Sequence, residues 1–114
     1  MYLLVNVLEQ IESLPAILAE FAEIGIKGST VINSTGMGRV LMQVGAATDG
    51  MEEIKGILSK MELSNKTIFT VVPNRNTLKE AIGIVKSFCG DLTEPGKGIL
   101  FALPLEIVEG VPET

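Results

Sequence analysis

The chain uses one short grammar twice, once near each end. Tyr2-Leu-Leu-Val-Asn-Val-Leu8 is an apolar run suited to a strand covered on both faces. Ser13 then offers a helix N-cap, and Pro15 falls in the first turn, where its missing N–H costs nothing. Leu14, Ile17, Leu18, Phe21 and Ala22 recur at helical spacing as one apolar stripe, with Glu12, Glu20 and Glu23 off it. Gly25 supplies the stop, and the β-branched run Ser29–Asn33 reads as a second strand. The pattern returns with the strand Thr67–Val72, closed by Pro73. Thr77-Leu-Lys-Glu80 has the form of a capping box. Leu78, Ala81, Ile82, Val85 and Cys89 make a second stripe, ended by Gly90, and the loop Thr93–Gly98 leads into the strand Ile99–Leu103.

Two such strand–helix–strand units facing one another predict an α+β fold of ferredoxin-like type. Its antiparallel sheet carries both helices on one face. A length of 114 residues fits one domain, 1–114. Between the units, Ser34–Gly38 reads as a tight turn and Val40–Val44 as a further strand. Asp49 and Glu52 form another cap pattern ahead of Met51, Ile54, Leu58 and Met61, so a helix is expected over residues 46–63. This stripe packs either on the chain's own sheet or on a partner. A second parse completes the strand–helix–strand pair at Val72 and appends residues 74–103. Either parse keeps the α+β class.

Composition narrows the chemistry. There is no histidine, which excludes Ser-His-Asp and Cys-His catalysis and His-ligated zinc. A single cysteine, Cys89, forms neither an internal disulfide nor a Cys-x-x-Cys site, and its place on the stripe marks a packing residue. A net charge of −5 argues against nucleic-acid binding. Apolar runs such as Ile99–Leu103 are far shorter than the ~20 residues of a bilayer helix, and no base precedes the apolar start. No membrane span and a cytoplasmic location are expected. No carboxylate pair can be assigned to acid–base work.

Ala22–Val31, followed by Gly36-Met-Gly-Arg39, resembles the first half of a PII nitrogen-regulatory protein. Phe69–Pro73, Gly96-Lys-Gly98 and Phe101–Pro104 are similar to the second half. The resemblance implies a non-enzymatic homotrimer whose intersubunit clefts hold an adenine nucleotide (ATP, ADP or AMP) as effector, with no required cofactor. It also implies a signalling role: regulation of a transporter or enzyme linked to nitrogen or carbon metabolism, through a variable insertion at about residues 36–65. The nucleotide would lie on Gly28, Thr30, Gly36, Gly38, Arg39, Val71, Gly96, Lys97 and Gly98. On residue chemistry alone, Gly96-Lys-Gly98 and Gly36 with Gly38 offer bare backbone to a phosphate, or serve simply as turns. The sheet face away from the helices, expected to carry Val5, Val31 and Val71, would need cover from neighbouring subunits.

The chain departs from the family pattern in several places. Ile99 takes the place of the lysine before the last strand, Phe69 that of a glutamate facing base or ribose, and Val40 that of a glutamine serving magnesium and 2-oxoglutarate. The arginine pair after the last strand is missing from Ile107–Val111, and the only tyrosine is Tyr2. ATP, magnesium and 2-oxoglutarate are therefore not expected to bind as a set. The alternative reading is a small ferredoxin-like enzyme or carrier subunit with no nucleotide site.

Overall fold

A computed structural model describes residues 1–38, 40–41, 65–94 and 96–111. Strand β1 (Tyr2–Leu8) runs through a 3-10 turn at Ile11–Ser13 into helix α1 (Leu14–Glu23). Strands β2 (Ser29–Ser34) and β3 (Asn65–Val72) follow, then helix α2 (Arg75–Cys89) and strand β4 (Ile99–Pro104). The sheet order is β2-β3-β1-β4, and every neighbouring pair is antiparallel. This is the ferredoxin-like arrangement, and it selects the parse in which the two end units make the sheet.

The helices start and stop for local reasons. Ser13 occupies the N-cap position of α1 but its side chain makes no capping bond, because the 3-10 turn brings it in with helical backbone angles. Pro15 lies in the first turn as expected. Helix α2 begins earlier than the Thr77–Glu80 pattern predicts. Asn74 Oδ1 accepts from the Thr77 N–H at 2.8 Å, so Thr77 is the residue being capped. Gly25 (φ +91°) and Gly90 (φ +76°) end the two helices in backbone that favours glycine.

One face of the sheet holds the core. Leu4 and Leu8 of β1, Ile68 and Val72 of β3, Ile17 and Phe21 of α1, and Ala81, Val85 and Cys89 of α2 form one buried cluster. Ala22, although on the α1 stripe, is exposed. The register sets the other face. Val5 stands opposite Phe69 and Phe101, and Leu3 opposite Val71 and Leu103. Directly opposed residues share a face, so these side chains lie away from the helices. Val31 corrects the expectation: it pairs with Ile68 and belongs to the helix side, leaving Thr30 and Ile32 on the open face. Ile32, Ile99, Phe101 and Leu103 remain exposed there.

Val40 and Leu41 are helical, and the Val40 N–H donates to Gly36 O at 3.2 Å. The expected strand does not begin at these residues, because Gly36 opens a helical turn instead. The expected helix over 46–63 lies outside the described residues.

Candidate functional site

A groove of ≈ 1070 Å³ opens at the end of the sheet where β1 begins. That is the upper end of the range of about 300–1,000 Å³ usual for ligand sites. Its floor is Phe69 and Val71 of β3, its rim is the α1–β2 loop from Gly25 to Thr30, and Val108, Gly110 and Val111 close the far side. The rim is fixed from within. Ile26 is buried and its N–H donates to Phe21 O at 3.1 Å, while the Gly25 N–H donates to Ala22 O. Lys27 and Gly28 are therefore held at the edge by a residue anchored in the core. The β1–β4 pairing runs on one residue past Pro104, through a bond from the Leu105 N–H to Met1 O at 2.9 Å.

Of the nine candidate residues, the groove brings together Gly28, Thr30 and Val71. Gly36 and Gly98 lie at the opposite end of the sheet. A Cβ on Gly98 would stand 2.2 Å from the carbonyl oxygen of Val7, so this glycine abuts the end of β1. Gly36 lies beside Asn65, the first residue of β3. By register Val71 is level with Leu3 and Thr30 with Val5, while Gly98 precedes Ile99, level with Val7, so the groups stand about 10–16 Å apart along the strand direction at ~3.3 Å per residue. Gly38 meets nothing within 4 Å of an added Cβ, and Arg39 lies outside the described residues. Gly96 (φ +78°) and Lys97 precede Gly98 in the loop before β4, and none of the three lines the groove.

The glycines divide by cause. Gly96 and Gly98 have positive φ, and Gly98 also has no room for a side chain. Turn geometry accounts for both. Gly28 has ordinary φ and open space where a Cβ would be, so neither strain nor packing in the subunit demands it. Its bareness leaves the groove backbone open.

At the root of residues 35–64, the ends of β2 and β3 are tied together by side chains. The Ser34 hydroxyl donates to Asn65 Oδ1 and shares a bond with Thr67 Oγ1 at 2.7 Å. Asn65 is buried, and its Nδ2 donates to Glu9 Oε1 at 3.1 Å. Burial pushes the Cys89 thiol up, with a smaller opposing pull from the Lys97 ammonium, so it stays protonated and unreactive near neutrality. Cys89 is therefore a core residue, as its stripe position indicates. Asp91 accepts from the Thr93 N–H and hydroxyl, which hold its carboxyl below the ordinary range and fix the start of the Lys97 loop.

The family model for nitrogen regulatory protein P-II matches residues 1–112. The chain belongs to the P-II family. No curated protein matches it individually, so this family match, together with the fold, carries the assignment. P-II proteins are regulators rather than enzymes, and this chain is a PII-like regulatory protein. Among the described residues, no helix is long and apolar enough to cross a membrane.

The groove also contains residues that sequence reasoning did not place in the site. Lys27 lies inside the family-like stretch, in the run Gly25-Ile-Lys-Gly28, which is the available signal. Phe69 opens the Phe69–Pro73 stretch that resembles the family, but is itself a departure from the family pattern. Val108, Gly110 and Val111 gave no signal, because their contribution depends on the chain folding back after β4.

Proposed function

We propose that this P-II protein is a homotrimeric cytoplasmic sensor that holds an adenine nucleotide (ATP, ADP or AMP) in each cleft between subunits. Occupancy sets how residues 36–65 meet a target protein, a transporter or enzyme linked to nitrogen or carbon metabolism. No catalysis is required of the chain.

The observation that supports this best is the division of the candidate residues. Gly28, Thr30 and Val71 line the groove toward the start of β1, and Gly36 and Gly98 lie toward its other end, with Thr30 and Val71 about 10–16 Å from Gly98 along the strand direction. Two copies side by side can bring both groups to one nucleotide, with the groove of one facing the Gly36 and Gly96–Gly98 end of the next. The open apolar face, including Phe101 and Leu103, favours the same assembly, since it removes that surface from water.

Calorimetry with ATP, ADP and AMP tests this reading. One site per chain is expected. Lys97→Ala should weaken binding about tenfold or more, as for a lost charged contact of ~1.5–3 kcal/mol. Wild-type affinity in that variant would show that the phosphates do not use this loop.

A further inference from the structure

Gly98 and Gly36 lie at the same end of one subunit's sheet, and a continuous run of contacts joins them. Gly98 stands just before β4, against the backbone where β1 ends. A Cβ there would lie 2.2 Å from Val7 O and 3.7 Å from Glu9 N. Glu9 follows β1 directly, and its Oε1 accepts from Asn65 Nδ2 at 3.1 Å. Asn65 is 2% exposed, and its Oδ1 accepts from the Ser34 hydroxyl. Its Nδ2 would also meet a Cβ on Gly36, at 3.9 Å. The Asn65 amide is thus engaged on both sides: by Ser34, where residues 35–64 leave the sheet, and by Glu9, beside the loop at residues 96–98.

We infer that Glu9 and Asn65 are positioning residues that couple the loop at residues 96–98 to residues 35–64 within one subunit. The contact at Gly98 has no slack, since it leaves no room even for a methyl. A ligand that shifts this loop therefore shifts the end of β1 with it. Glu9 must then carry Asn65 along or give up their hydrogen bond, and a buried amide left unpaired is costly. The movement is passed to Ser34 and the turn opened by Gly36. Such coupling is reciprocal, so a target that fixes residues 35–64 changes the loop's affinity for its ligand by the same factor. The inference rests on the nucleotide reading above and names the side chains that carry its signal.

The test is hydrogen exchange on the full chain with and without ATP, with ATP affinity measured alongside by calorimetry. The amides to follow are those of residues 33–35 and 65–67, none of which is a candidate ligand residue. In wild type, ATP should slow their exchange by about fivefold or more, the lower end of ordinary coupling between sites. Glu9→Ala should lose that response while binding ATP within about threefold of wild type. Glu9→Gln keeps an oxygen for Asn65 Nδ2 and should restore the response. Ser34→Ala breaks the link on the far side of Asn65 and should also lose it, so the test does not hang on the folding of one variant. A purely structural role would alter the melting temperature without separating ATP affinity from the response. A response intact in Glu9→Ala or in Ser34→Ala overturns the inference while the nucleotide reading stands, as does wild type that binds ATP without any response. An ATP affinity about tenfold weaker in Glu9→Ala makes Glu9 part of the ligand site rather than a link, and also overturns it. Wild-type protein that binds no ATP overturns the inference and the nucleotide reading together.

Discussion

Gly98 and Gly28 sit in loops of similar appearance in the sequence, yet different physics holds them. A side chain at Gly98 must coexist with φ +94° and with a carbonyl oxygen 2.2 Å from the new Cβ. Gly98→Ala should therefore cost about 1–3 kcal/mol or more, read as a lowered denaturation midpoint. Gly28→Ala meets nothing within 4 Å and needs no unusual backbone. It should leave stability unchanged or raise it by about 0.4–1 kcal/mol, through the unfolded chain. The same change puts a methyl in the groove and should weaken nucleotide binding. A Gly28→Ala protein that binds as wild type would mean the groove backbone is not approached. The sequence shows a glycine in both places, but only the neighbouring strand distinguishes them. In the same way, Val31 and Ile32 are chemically alike in a run of β-branched residues, and only pairing with Ile68 and Thr67 assigns their faces.

At the scale of elements, the strands and helices were legible because their apolar periodicities are strong and their glycine stops are real. The starts were less so. Asn74 and Thr77 are both good capping residues, and the helix takes the earlier one, since Asn74 has extended backbone (φ −153°, ψ 171°) and the Thr77 N–H within reach. The tie between Ser34, Asn65 and Glu9 was not legible, because it joins positions up to 56 residues apart. It fixes where residues 35–64 leave and rejoin the sheet. Within that segment the cap at Asp49 and the stripe Met51, Ile54, Leu58 and Met61 predict a helix over 46–63. A helix this short is marginal in water unless the stripe is buried. If the stripe packs on this subunit, Ile54→Asp should destabilise the fold by a few kcal/mol. If it meets a target, the melting temperature should hold while target binding is lost. Hydrogen exchange without protection across Met51–Met61, alone and with a target, would contradict the helix.

For the whole molecule, the decisive feature is the sheet face without helices. Val5 is buried there even in the single subunit, while Ile32, Ile99, Phe101 and Leu103 stay exposed around it. Large apolar patches of this sort are uncommon on monomers and mark contact surfaces. The sequence indicated an uncovered face, because β1 and β4 are apolar at nearly every position and two helices cover one side only. It did not indicate that the candidate site would divide between the two ends of the sheet, since separation along β1 is a property of register. That division makes assembly the central claim of the proposal, in which Gly28 of one copy and Gly98 of the next meet one nucleotide. Light scattering on the purified chain at micromolar concentration tests it most directly. The account predicts a mass three times the 12.2 kDa of one chain. A mass of one chain would contradict it.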